Sequence, residues 1–183
     1  MLVLASKSPR RQQILRDAGI PFVIRPADVP EERRPAEAPG DYVRRLAEEK
    51  ACAVPLGPGE VILGADTVVV VAGEVLEKPR DARDARRMLT LLSGREHEVI
   101  TGICLRAETR KIVDAATTRV RFVELTSVEI ENYVSSGEPM DKAGGYAIQG
   151  LASKFIDRIE GCYFNVVGLP IALVYRHWKE LAG

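Results

Sequence analysis

The chain of 183 residues has only two histidines, His97 and His177, and three cysteines, Cys52, Cys104 and Cys162. Two distant histidines exclude a histidine-rich metal centre, and each is read as structural. The cysteines are odd in number, far apart and without a C-x-x-C pair, which reads as buried or half-buried thiols in a reducing compartment. Excess charge of either sign is also missing: 26 basic residues cancel 26 acidic ones. That argues against a general nucleic-acid binder, although a local cluster can still hold a small anion. Long apolar runs are absent. The longest, around Val166 to Tyr175, is interrupted by Gly168 and Pro170, too short for a membrane span. The apolar N-terminus is too short for a signal peptide, so a cytoplasmic location is expected. The common nucleotide and hydrolase signatures are missing as well: G-x-x-x-x-G-K-[ST], a strand-coupled G-x-G-x-x-G, and G-x-S-x-G.

What is present begins at the N-terminus. Leu2 to Ala5 reads as a short buried strand, followed by Ser6-Lys7-Ser8-Pro9-Arg10-Arg11. Ser8 fits a helix N-cap with Pro9 at the first helical position, Ile14, Leu15 and Ala18 supply the apolar stripe, and Gly19 ends the helix. Arg10 and Arg11 in a first turn face the positive end of the helix dipole. An anion seated there would reverse the sign, accepting from backbone N–H groups, the two serine hydroxyls and both guanidinium forks. The alternative is an ordinary capped helix with two solvated arginines.

Pro21 to Arg25 reads as a second strand. Residues 26–40, with four prolines and the acids Asp28, Glu31 and Glu32, form a loop long enough to carry function. Asp41 is a candidate cap for a helix through Tyr42, Val43, Leu46, Ala47 and Ala51; Lys50 near its end suits the dipole. Val61 to Val71 is the strongest strand signal, nearly continuous and β-branched, as in a strand buried on both faces. Asp66 is its anomaly: a carboxylate there is costly unless paired, metal-bound or exposed at a cleft. A turn at 72–74 returns Val75 to Glu77 as a hairpin, and Lys78 stands at the junction with a helix capped by Asp81 and ended by Ser93-Gly94. Residues 97–107 and 111–123 read as two long strands. Thr126 to Glu129 fits a capping box opening a helix to about Ser135. In Asp141 to Gly150 the paired glycines allow close backbone approach to a ligand, and the Gln149 amide suits the edge of a nucleobase. Phe155 to Ile159 is a last strand candidate. Gly168-Leu169-Pro170 starts a final helix with Ile171, Val174, Tyr175, Trp178 and Leu181 facing the core. The order of elements indicates α/β with a mixed sheet flanked by helices.

Cations (Arg10, Arg11, Lys50, Lys78, Lys142) alongside carboxylates (Glu31, Asp66) suggest more than phosphate binding. A hard divalent ion, Mg2+ or Mn2+, could bridge carboxylate and phosphate oxygens, and a carboxylate could deprotonate water. That is hydrolysis of a phosphoanhydride.

The chain resembles the Maf (septum-formation) family of nucleoside triphosphate pyrophosphatases over essentially its whole length. The resemblance rests on 6-SKSPRR-11, 45-RLAEEKA-51, 64-GADTV-68, 77-EKPRDA-82, 93-SG-94, 141-DKAG-144, 146-YAIQGL-151 and 168-GLP-170. It implies one domain over 1–183, elongated, with a central cleft between two lobes, a fold related to the inosine triphosphate pyrophosphatases, and a homodimer. It implies water attack on the α-phosphorus of a nucleoside triphosphate, giving the monophosphate and pyrophosphate; the charge balance and the short apolar runs lead to the expectation of no nucleic-acid or membrane partner. The family's proton acceptor falls on Asp66, its substrate-discriminating positions on Arg10, Thr67 and Gln149, and its phosphate and metal residues on Ser6, Ser8, Arg11, Glu31, Lys50 and Lys78, the metal falling to Glu31 and Asp66. Thr67 and Gln149 resemble the branch acting on dTTP and UTP, whereas the 7-methyl-GTP branch typically carries Gln and Glu there. Lys7 departs from the small residue often found in the family. The competing expectations are a non-catalytic nucleotide-binding regulator of septum formation and a pyrophosphatase of the 7-methyl-GTP or ITP/XTP type.

Overall fold

The computed structural model describes residues 1–182. Its elements are β1 (Leu2–Leu4), α1 (Pro9–Asp17), β2 (Phe22–Ile24), α2 (Pro39–Ala53), β3 (Val61–Val71), β4 (Glu74–Leu76), α3 (Ala82–Leu92), β5 (Glu96–Arg106), β6 (Lys111–Phe122), α4 (Ser127–Ser135), β7 (Ile156–Glu160), α5 (Tyr163–Val167) and α6 (Ile171–Ala182). Seven strands form a mixed sheet in the order β2-β1-β3-β5-β6-β7, with β4 paired to β3. β1 runs parallel to β2 and β3, and β4 and β7 are antiparallel to their neighbours.

The chain divides into two compact units. The first comprises residues 1–67, 101–116 and 168–183, with α1, α2 and α6. Its β1 is wholly buried, as the run of four apolar residues predicts. Two glycines set the packing of α2. A Cβ on Gly64 would lie 2.1 Å from the Ala47 carbonyl oxygen, and one on Gly102 would lie 2.2 Å from that of Val43. Only a residue without a side chain lets the helix backbone rest so close to a strand. Val3, Ala5, Ala47, Ala51, Val54, Ile62 and Cys104 fill the space around this seat.

The second unit comprises residues 68–100 and 117–167, with α3, α4 and α5. Its core gathers Val69, Leu76, Leu89, Leu92, Val120, Tyr133 and Phe155. The capping box of α4 is present: Thr126 Oγ1 accepts from Glu129 N, and the Glu129 carboxylate accepts from Thr126 N. His97 is buried, shares a 2.7 Å hydrogen bond with the Tyr146 hydroxyl and packs edge-on against Phe122.

Burial pulls His97 down to about 4, against 6.5 for an ordinary histidine. Unfolded chains therefore bind a proton that the folded protein rejects between these values. The contribution of neutral His97 is fully present above pH 6.5 and is lost as pH falls towards 4. Denaturant titrations at pH 7.5 and 4.5 should show wild type losing up to about 3 kcal/mol more than His97→Asn over that interval. Equal losses would remove His97 as a source of acid sensitivity.

Four expectations are corrected. Helix α2 begins at Pro39 with Ala38 at the cap position and no side-chain cap, so Asp41 lies inside the first turn, 3.6 Å from Arg44. Tyr175 is 46% exposed; Val174 faces inward as expected, with His177 beside it on the buried stripe of α6. Cys52 is exposed, because it sits on the outer side of α2 next to buried Ala51. Phe155 ends a 3-10 turn, and the strand after it starts at Ile156.

Candidate active site

In the first unit, Ser8 caps α1, its Oγ accepting from Arg11 N at 3.5 Å. Ser6 Oγ accepts from Ser8 N at 3.2 Å. Arg10 is half-buried on the first turn and Lys7 is exposed.

Arg11 does not stand as an open fork. Its Nε donates to the Gly168 carbonyl and Nη1 to the Ala65 carbonyl, both at 2.9 Å. Nη1 also donates to Ser6 Oγ at 3.3 Å, and Nη2 to Thr67 Oγ1 at 3.2 Å. Four of the five guanidinium N–H groups are thereby committed to this chain, leaving one for a ligand. Burial lowers the Arg11 pKa, opposed by the charges of Asp66 and then Glu31, while Arg10 lowers it further. Ala65 and Thr67 flank Asp66, so Arg11 holds β3 on both sides of that carboxylate.

Asp66 is 8% exposed. Its Oδ1 accepts from Lys50 Nζ at 2.7 Å, and the same ammonium lies 2.6 Å from Glu31 Oε1. Lys50, in the last turn of α2, is itself buried. The reading of it as a helix-dipole partner is thus superseded by a specific ion pair across the Gly64 seat. Thr67 Oγ1 is also 2.9 Å from Thr101 Oγ1.

The loop carrying Glu31 is fixed from α2. Arg45 donates to Glu37 Oε1 at 2.6 Å, to Glu37 Oε2 at 2.8 Å and to the Glu32 carbonyl at 3.0 Å, and it also grips Glu49. This guanidinium holds Glu37 well below the usual carboxylate range, at about 2. Sequence reasoning assigned Arg45 no role of its own; the i, i+4 spacing of Arg45 and Glu49 was its only local signal. Thr101 and the Gly168 carbonyl carried no signal.

In the second unit, Lys78 is exposed between β4 and α3, and Gln149 is exposed on a turn. Gly144 and Gly145 both have positive φ, at 70° and 71°. On the side where a Cβ would stand, the close approach that they permit is to this chain. A Cβ on Gly144 would meet Val69 at 2.7 Å, and one on Gly145 would meet Pro79 at 3.3 Å.

The sequence pattern described as "Maf-like protein" matches residues 1–181. The chain belongs to the Maf family. It is similar to a dTTP/UTP pyrophosphatase of Koribacter versatilis, 53% identical over 98% of this chain and 93% of that protein. It is also similar to a dTTP/UTP pyrophosphatase of Anaeromyxobacter dehalogenans, 54% identical over 93% and 89%. Among solved structures it is similar to a HAM1 protein from Coxiella burnetii, 17% identical with a TM-score of 0.43 over 81% and 87%. No described helix is long and apolar enough to cross a membrane.

Proposed function

We propose that this chain, as one domain over residues 1–183, hydrolyses dTTP and UTP to the monophosphate and pyrophosphate. The observation that carries the reading is the buried Asp66–Lys50 pair on β3 and α2, with the exposed Glu31 of the preceding loop on the same ammonium. A buried acid adds nothing to simple polyanion binding, whereas hydrolysis needs a group that takes a proton. In the proposed step a water oxygen bonds to the α-phosphorus while the bond to the α–β bridging oxygen breaks. Pyrophosphate leaves with that electron pair, and the water proton passes to Asp66. Lys50 occupies Oδ1, so Oδ2 is the oxygen assigned to the water. Ser6, Ser8, Lys50, Lys78 and the remaining Arg11 donor are assigned to phosphate oxygens, and Arg10, Thr67 and Gln149 to discrimination between substrates.

A divalent cation, Mg2+ or Mn2+, belongs to the proposal. Glu31 and Asp66 are hard oxygen donors that reach one common ammonium, and Mg2+ is typically held by one or two carboxylates with phosphate oxygens and water. Among the described residues no group of three or more His, Cys, Asp or Glu could hold an ion, so substrate and water would complete the shell. When bound, the ion would neutralise charge on the triphosphate and polarise its oxygens. A cytoplasmic location is carried over from the reading of the N-terminus, and a homodimer from the resemblance.

Pyrophosphate release from a panel of nucleoside triphosphates tests the reading. The expected result is release from dTTP and UTP that requires Mg2+ or Mn2+, stops with chelator, and is small with purines. Release mainly from 7-methyl-GTP or ITP would overturn the assignment of Thr67 and Gln149. Binding without release from any substrate would overturn the enzyme itself.

A further inference from the structure

Gln149 is exposed on a turn, yet the proposed function asks its amide to tell bases apart. A glutamine amide turned through 180° presents the opposite donor and acceptor pattern, so it can pair with uracil or with cytosine. Discrimination by such a group requires the backbone beneath it to be fixed to within a fraction of an ångström.

We infer that Tyr133 and Glu138 are positioning residues for base discrimination, clamping the turn that carries Gln149 at both ends. This rests on the reading of Gln149 given above. The Tyr133 hydroxyl accepts from Ala147 N at 3.2 Å and donates to Glu138 Oε1 at 2.8 Å. The other carboxylate oxygen, Oε2, accepts from Leu151 N at 3.1 Å. The two backbone donors lie two residues before and two after Gln149. Inside the turn Gly150 N donates to the Ala147 carbonyl.

The clamp is itself anchored. Tyr133 is buried on α4. Gly137, at a φ of 76°, ends α4 in the left-handed region and turns the chain so that Glu138 comes back beneath the turn. Glu138 N donates to Ser136 Oγ at 3.2 Å, and Lys142 Nζ donates to its carbonyl at 2.6 Å. Burial first, and then the neighbouring Glu138, raises the Tyr133 pKa, which keeps the hydroxyl hydrogen available to the carboxylate. Gly150 completes the device: a Cβ there would lie 2.4 Å from either Glu138 oxygen.

The experiment compares kcat/KM for UTP and CTP in wild type, Tyr133→Phe, Glu138→Gln, Gly150→Ala and Gln149→Ala, with thermal unfolding as a control. Tyr133→Phe removes one hydroxyl and should lower the UTP-over-CTP ratio about tenfold, the worth of one good hydrogen bond. The change should appear as a raised KM for UTP with kcat kept within a few-fold. Gly150→Ala should do the same by displacing the carboxylate, and adding Glu138→Ala should make it harmless relative to Glu138→Ala alone. If Gln149→Ala collapses the ratio while the three clamp variants leave it unchanged, the clamp is overturned and the reading of Gln149 stands. If Gln149→Ala leaves the ratio unchanged, that reading falls first. Amide hydrogen exchange on the wild type needs no variant to fold. Slow exchange at Ala147 and Leu151 is expected, and rapid exchange at both would overturn the clamp.

Discussion

Asp66→Asn should lower kcat on dTTP and UTP by roughly 10²–10⁴-fold, the usual contribution of a positioned general base. Asparagine keeps the shape of the side chain and an oxygen for Lys50 to approach, but it cannot take a proton at neutral pH. Ser6, Ser8 and Lys78 stay intact for the triphosphate, while the loss of one carboxylate from the proposed cation site should raise the Mg2+ concentration needed for half-maximal rate, so kcat is compared at saturating Mg2+. Stability should fall as well. Breaking a buried pair by removing one partner typically costs about 3–5 kcal/mol, since the other charge is left in a poor solvent. Here Glu31, 2.6 Å away, stays with Lys50, so the loss should be smaller than that range. Steady-state kinetics below the melting temperature of the variant separates the two effects. Turnover within a few-fold of wild type would remove Asp66 as the proton acceptor.

The parts of this protein legible in its sequence are those encoded within a few residues. The Ser8 cap with Pro9 at the first helical position, the Thr126–Glu129 capping box and the Asp81 cap are all legible, because each donor and acceptor sits within three residues of its partner. The run Val61–Val71 stood out as a strand because it is β-branched almost throughout, and that same run made Asp66 conspicuous. The mixed sheet followed from the order of elements.

What stayed hidden depends on contacts between distant segments. Lys50 has an unremarkable place at the end of a helix; its significance lies in a carboxylate 16 residues on. Arg11 adjoins Arg10 in sequence, but α1 turns it towards Ala65, Thr67 and Gly168, up to 157 residues away. The glycine pair 144–145 was visible as a close approach, but nothing in the sequence said that the approaching group is Val69. Glu138 and Tyr133 gave no signal because the groups they hold are backbone amides, which every residue but proline carries.

Gly64→Ala should be among the most destabilising single-methyl changes available to the first unit. Its Cβ would stand 2.1 Å from the Ala47 carbonyl oxygen and 2.8 Å from Ala51 N. Both atoms belong to the backbone of α2, so no side chain can swing aside. The helix must lift, opening the packing among Val3, Ala47, Ala51 and Ile62. Overpacking commonly costs about 1–3 kcal/mol, and a clash with a rigid helix belongs at or above the top of that range. Gly73→Ala is the matched comparison. Gly73 also has no side chain, but a Cβ there meets nothing within 4 Å, and its cost comes from a φ of 80° alone, about 1 kcal/mol. Urea unfolding should therefore place Gly64→Ala well below Gly73→Ala. Activity should follow the same path, because Lys50 adjoins Ala51 and Asp66 lies two residues beyond Gly64 on the same face of β3. Lifting α2 separates the two charges that form the centre of the proposed site. If Gly64→Ala lost less than about 1 kcal/mol and kept full turnover, the seat would not be what sets the Lys50–Asp66 distance.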